Sequence, residues 1–349
     1  MNFFKPIIPI FFLISQILLI PSVQGQSSVK LETYLPSYRM KQLFPQDFSG
    51  RTAWYRMHPF ARGIDFSKSQ TLPANYNFSR GEFILNHFDE VYFFSLQIPP
   101  NGDPFIPVDM VDQLTYLKRF STLKNANLNL CISGSSSDFI PMLRDETKKD
   151  LFLRELSNLL DEYQLQGIDL DWEFPGNDQE KEFYMDFLTD LRDLSETKQK
   201  SLSIAVSRFR SLPDEAYQLP DKIHLMTYDF YGRHSTLEST REALEYMIAR
   251  YDIPPEKLWM GIPYYGRIFD GYSPDYWKKS QSYKEIVRQN SLLAHEDEAQ
   301  GYYFNGADTV SKKTELGKEL GLGGFFVWEI GQDSLSEKSL TLTLFESLQ

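Results

Sequence analysis

Beyond an apolar leader, the chain alternates short apolar runs with longer amphipathic stretches. Eight runs stand out, at 31–38, 90–96, 128–134, 166–174, 201–207, 222–230, 258–266 and 324–330, all of strand length and rich in β-branched or aromatic residues. Between them apolar residues return at helical spacing: Phe152, Leu156, Leu159 and Tyr163, then Tyr184, Phe187, Leu191 and Leu194, then Ala243, Met247 and Ile248. Strand alternating with helix predicts a parallel sheet with crossover helices, and eight strands is the number that closes a (β/α)8 barrel. The expected fold class is therefore α/β, a TIM barrel. A doubly wound open sheet is the competing arrangement, but it calls for a Gly-rich phosphate turn after an early strand, which is missing here. Two connections are long, 39–89 and 268–323, and insertions of that size on a barrel shape a cleft.

The fourth run carries the chemistry. In Gln166-Gly167-Ile168-Asp169-Leu170-Asp171-Trp172-Glu173, a strand aims Asp169, Asp171 and Glu173 to one face and Ile168, Leu170 and Trp172 to the other. Three acids crowded on one face repel when all are ionised, so at least one holds a proton near neutral pH, as a general acid must. A solvated rim is the plainer reading of acids at a strand end. Against it, Leu156, Leu159, Leu160 and Leu165 before the segment and Phe174-Pro175-Gly176 after it argue for burial. A hard-metal site lacks a nearby His or a calcium-type loop, so neither metal nor cofactor is expected. In a barrel, catalytic groups sit at the carboxyl ends of strands, where Asp171 and Glu173 fall.

The leader predicts export. Met1 to Lys5 carries positive charge, 6–21 is almost wholly apolar, and Val23-Gln24-Gly25 offers small residues for cleavage, giving a signal peptide at 1–25. The apolar run is short for a span and broken by Pro6, Pro9 and Pro21; an uncleaved anchor is the other reading. The mature protein is then expected to be secreted, extracellular or periplasmic, without stable membrane association. Residues 26–349 suit one large domain, a monomer, with no linker or repeat to divide it. A net charge of −12 and a pI near 5.0 disfavour nucleic acid as a partner. Cys131 is the only cysteine, so the fold holds without an intramolecular disulfide; its alternating surroundings mark a buried structural thiol. Asn77-Phe78-Ser79 is a glycosylation sequon. Aromatic residues reach 15% of the chain, enough to fill a core and still offer faces for stacking on sugar rings.

The acidic run resembles the D-x-x-D-x-D-x-E signature of the family 18 glycoside hydrolases, the chitinase-like barrels, with Gln166 where the first acid would stand. Further along, Met226-Thr227-Tyr228-Asp229 is similar to the family's M-x-Y-D element, and Gly261-Ile262-Pro263-Tyr264-Tyr265-Gly266-Arg267 to its G-x-P-x-Y-G-R. Gly321-Leu322-Gly323-Gly324 followed by Phe325-Phe326-Val327-Trp328-Glu329 resembles the segment that supplies a Trp floor beneath the sugar. The resemblance implies a TIM barrel with a reduced insertion between the seventh and eighth strands, acting on oligo- or polysaccharides that contain N-acetylglucosamine.

By the same resemblance Glu173 is the proton donor, Asp171 orients the substrate's N-acetyl group, and Asp169 shares a proton with Asp171. Tyr228 and Asp229 hold the N-acetyl group, Met226 lines the pocket, and Tyr265, Arg267 and Trp328 line the cleft. The implied mechanism is substrate-assisted and retaining: the acetamido oxygen, not a second carboxylate, is the nucleophile. Cys131-Ile132-Ser133-Gly134-Ser135 departs from the family's S-x-G-G followed by Trp, which removes one stacking surface. A chitinase is the leading expectation. An endo-β-N-acetylglucosaminidase acting on N-glycans and a catalytically silent lectin of the same fold are the alternatives.

Overall fold

The computed structural model describes residues 29–44, 85–98, 107–124, 126–269, 279–290, 295–334 and 336–349. The leader at 1–25 and the sequon at Asn77 lie outside the described residues.

Eight parallel strands close into a barrel. They are β1 (Lys30–Pro36), β2 (Glu90–Gln97), β3 (Asn127–Gly134), β4 (Gly167–Trp172), β5 (Ser201–Val206), β6 (Lys222–Leu225), β7 (Leu258–Pro263) and, after an insertion, β12 (Gly324–Trp328). Neighbours follow chain order around the ring, and β12 pairs with β1 to close it. All eight expected runs are barrel strands, which excludes the open sheet. The helical patterns become Glu146–Glu162, Asp178–Lys198 and Leu237–Tyr251. Each starts on a side chain that accepts orphan backbone N–H groups: Asp145 from Thr147 and Lys148, Asn177 from Glu180, Thr236 from Ser239. Among the described residues no helix is long and apolar enough to cross a membrane.

Alternation along the strands divides the interior in two. One set of positions, including Ile168, Leu170, Ile223, Leu225, Phe325 and Val327, meets the helices in a single large apolar core. The other set points into the barrel, where Tyr34, Tyr92, Cys131, Tyr228, Trp259, Tyr265 and Phe326 pack together. Charged side chains share that lumen, among them Glu32, Glu90, Asp169, Asp171, Lys222 and His224. Cys131 is fully buried there.

Two expected strands end early. The sixth run was expected to extend to residue 230, but β6 stops at Leu225 because side chains take over the next backbone groups. Thr227 Oγ1 donates to the Gly261 carbonyl and Ser235 Oγ to the Thr227 carbonyl, both at 2.6 Å. Asp229 then turns the chain in the left-handed region, at φ 62°. The seventh run breaks after Pro263: Tyr265–Ile268 forms β8, which opens a small antiparallel sheet with β9 (Ser280–Ser282), β10 (Glu298–Ala299) and β11 (Tyr302–Tyr303). The connection expected as a reduced insertion thus holds a second sheet seated over one wall of the barrel mouth.

Glycine makes one strand contact possible. A Cβ on Gly324 would stand 2.5 Å from the Lys30 carbonyl oxygen and run into the Trp259 ring. Gly324→Ala is expected to lower unfolding free energy by about 1–3 kcal/mol through overpacking. Gly176→Ala, where a Cβ meets only Glu180 at 3.6 Å, should lie within about 0.5 kcal/mol of the parent in the same denaturant titrations.

Candidate active site

The alternation of β4 sends Asp169 and Asp171 into the lumen, one above the other, and carries Trp172 into the helix-side core. There Trp172 stacks on Phe139 at 4.4 Å and donates Nε1–H to Ser136 Oγ at 3.1 Å. Glu173 follows the last strand residue. Its amide donates to the Gly134 carbonyl at 2.9 Å and its side chain is exposed at the barrel mouth.

The three acids occupy different environments. Asp169 accepts from Tyr34 Oη at 2.7 Å and from Ser203 Oγ at 2.6 Å, with His224 Nδ1 3.4 Å away. Burial alone would raise it, but these partners, His224 first, bring its carboxyl below the ordinary value. Asp171 has no such support: its Oδ1 is buried without a hydrogen-bond partner. Burial, then the charges of Glu173 and Asp169, push it far above the ordinary value. Glu173 is raised as well, because the walls around it strip hydration and the Asp229 charge opposes ionisation. Asp169 is thus the rung held low, while Asp171 and Glu173 are both raised and titrate as one pair. The expected sharing between Asp169 and Asp171 meets an Asp169 already engaged by Tyr34, Ser203 and His224.

Below the ladder lies a charge network that the sequence reading missed. His224 Nε2 is 2.9 Å from Glu32 Oε2, and its Nδ1 is 2.8 Å from Tyr34 Oη. Lys222 pairs with Glu32 and, at 2.9 Å, with Glu90, which also accepts from Asn129 at 2.8 Å. Burial opposes charge on His224, yet Asp169 and Glu32 raise it to about 9. Lys222 is likewise raised against burial by Glu32 and Glu90, and Glu90 lowered against burial by Lys222 and Asn129. The available signal was a charge at every second position in otherwise apolar runs: Glu32 beside Leu31, and Lys222 and His224 around Ile223.

Most other expected site residues gather at the mouth. Asp229 accepts from Tyr265 Oη at 2.6 Å and from both Nε and Nη2 of Arg267, the second at 2.7 Å, so the insertion's first strand clamps the end of β6. Tyr228 is buried with its ring 6.1 Å from that of Tyr265, and Met226 packs against the same lumen cluster. Trp328, half-buried, meets Phe94 edge-on at 4.7 Å and Tyr34 at 5.6 Å. Buried Glu329 next to it binds Arg39 through two nitrogens, each at 2.8 Å.

The departures from the family pattern separate. Gln166 sits before β4, exposed at the opposite end of the strand from Glu173, its amide nitrogen donating to the Gln164 carbonyl at 2.8 Å. It therefore takes no part in the site. Ser135 caps the Ser136–Leu143 helix in a reciprocal arrangement with Asp138. Ser133 stays at the lumen, its hydroxyl 2.5 Å from that of Ser95. Tyr38, Phe209 and Tyr231 are exposed aromatic rings following β1, β5 and β6 that the sequence reading did not single out. Among the described residues no group of three or more His, Cys, Asp or Glu side chains is arranged to hold a metal ion.

Comparison with known proteins agrees with this geometry. The sequence profile of the glycosyl hydrolases family 18 matches residues 71–333. Probable chitinase 10 of Drosophila melanogaster is 24% identical over 292 residues, 64% of this chain and 13% of that protein. A class V chitinase of Lotus japonicus is 22% identical over 330 residues, 75% of this chain and 81% of the other. The chain thus spans only a small part of the first of these relatives. Among solved structures, a chitinase of Cycas revoluta in complex with (GlcNAc)3 superposes with a TM-score of 0.69 at 18% identity, covering 92% of this chain and all of the other.

The charge of Asp229 is one of the causes that raise Glu173, and this can be measured without a substrate. Asp229→Asn is expected to move the Glu173 carboxyl titration to lower pH, read by 13C NMR of protein labelled in its Glu side chains. An unmoved or raised midpoint would refute the assignment.

Proposed function

Since the chain belongs to the glycosyl hydrolases family 18, we propose that it is a secreted chitinase that cleaves β-1,4-linked N-acetylglucosamine polymers or oligomers by substrate-assisted retaining catalysis. Residues 1–25 act as the export signal and 26–349 as the catalytic domain. The observation that carries the reading is the buried Asp171 carboxyl, unpartnered at Oδ1, with Asp169 held below the ordinary carboxyl value on one side and Glu173 raised above it on the other.

Bond by bond, the substrate's acetamido oxygen attacks its own anomeric carbon while Glu173 gives its proton to the departing glycosidic oxygen. Asp171 accepts the acetamide N–H and stabilises the positive charge of the resulting oxazolinium. Tyr228 donates to the acetamide, and Asp229, held by Tyr265 and Arg267, fixes that side of the sugar. Trp328 supplies the ring beneath it. Water then attacks the anomeric carbon from the face the leaving group vacated, the Glu173 carboxylate takes its proton, and the original configuration returns. Holding Asp171 and Glu173 with one proton between them suits both halves, because Glu173 must be an acid first and a base second.

The test incubates mature protein with chitooligosaccharides and, in parallel, with a high-mannose glycoprotein and with oligosaccharides lacking the 2-acetamido group. Shortened chitooligosaccharides alone are expected. Release of the N-glycan instead would move the substrate to glycoproteins, and binding without product would make the chain a lectin. Glu173→Gln is expected to lower kcat by a factor on the order of 10²–10⁴ while oligosaccharide binding persists; an unchanged rate would sink the assignment.

A further inference from the structure

We propose that His224, as an imidazolium held between Glu32 and the Tyr34–Asp169 pair, is the positioning residue that decides which rung of the carboxylate ladder carries the proton. The inference deepens the function proposed above and rests on it for its kinetic consequence.

The single phenolic hydrogen of Tyr34 constrains the protonation of the ring. Its phenol has one proton and two close partners, Asp169 Oδ2 at 2.7 Å and His224 Nδ1 at 2.8 Å. An ionised Asp169 can only accept, so the phenol donates to it. The phenol oxygen then faces Nδ1 with lone pairs, and Nδ1 must carry a hydrogen. Nε2 faces the Glu32 carboxylate at 2.9 Å and donates there. Both ring nitrogens are therefore protonated.

Passing the Nε2 proton to Glu32 would leave the ladder untouched, but one other arrangement of the same contacts reaches it. The Nδ1 proton passes to the phenol oxygen as the phenol proton passes to Asp169 Oδ2, leaving a neutral ring and a protonated Asp169. Charge is conserved, but the proton now rests on Asp169, and the anion that helps keep Asp171 protonated is gone.

The surroundings select the first arrangement. Against the ring lie Glu32 and Tyr34 of β1, Tyr92 of β2 and Asp169 of β4; Glu90 of β2, Cys131 of β3, Asp171 of β4 and Lys222 of β6 share the lumen with it. The strands β5, β7 and β12 bring only Ser203, Trp259 and Phe326. Lys222 is the one other cation in this group, and it is shared between Glu32 and Glu90. The local balance is therefore negative and favours a charged ring, in line with its raised proton affinity. Tyr92 at 5.0 Å and Phe326 at 4.8 Å pack on the buried ring, which reaches the ladder by this exchange through Tyr34 and by the direct 3.4 Å approach of Nδ1 to Asp169 Oδ1.

The first test needs no substrate. 15N NMR of the histidine rings in the full chain, with His224 recognised by contacts to Tyr34 and Tyr92, should give a ring protonated at both nitrogens at neutral pH, with a midpoint near 9. Glu32→Gln should bring that midpoint down. A neutral ring at pH 7 in the parent overturns the proposal.

The second test is kinetic. His224→Gln leaves Asp169 without its cation, so Asp169 takes up a proton at higher pH than before. The expected result is a kcat lower by about tenfold or more, a KM within about twofold, and an acidic limb of the pH profile moved up by about one unit. An acidic limb in the same place overturns the proposal. A parent enzyme inactive on every substrate would defeat the proposed function while leaving the NMR result to stand or fall alone.

Discussion

A carboxylate taken out of water must find a cation, gather hydrogen-bond donors, or keep its proton. The lumen of this barrel confronts that constraint with Glu32, Glu90, Asp169 and Asp171, which among the described residues meet two cations, Lys222 and His224. Each of the three lower acids touches a cation, Glu32 both of them, and Asp169 adds two hydroxyl donors. Asp171 is left with neither, and burial, then the charges of Glu173 and Asp169, push its carboxyl far above the ordinary value. The unsupported rung is thus set by what surrounds its neighbours, and the lumen floor bears on the electrostatics at the mouth.

The remaining parts of the site hold this arrangement in register. The barrel fixes the spacing of the acids, because residues on alternate positions of β4 cannot move independently of the ladders to β3 and β5. The insertion works from above: Tyr265 and Arg267 reach across to Asp229, whose left-handed backbone departs from the strand at that point. Arg39 and Glu329 tie the ends of β1 and β12 together beside Trp328. Floor, wall and rim are three different solutions to one problem of placing charge.

Much of this was legible in the sequence. Eight strand-length runs and the helical periods between them describe the barrel, and period-two alternation of acid and apolar residues in 166–173 gives the ladder its faces. The end of β6 was not legible, because Met226 to Phe230 reads as a strand until Thr227 and Ser235, eight residues apart, are known to satisfy the backbone. Tyr265 and Arg267 were expected as cleft residues on a barrel strand, since nothing in Pro263-Tyr264-Tyr265 announces a change of sheet. The floor network escaped for a different reason. Glu32, Glu90, Lys222 and His224 lie on three strands up to 192 residues apart, and a lone charge in an apolar run is ambiguous until its partner is known.

The sharing of cations on that floor has an evolutionary consequence. Lys222 answers to two carboxylates and Glu32 to two cations, so altering any one of them leaves a charge stranded in a low-dielectric interior. Viable descent from this arrangement runs through compensated exchanges, in which acid and base are lost or reversed together across β1, β2 and β6. Positions that look independent along the chain are therefore bound into one heritable unit, and in related sequences they should vary as a set.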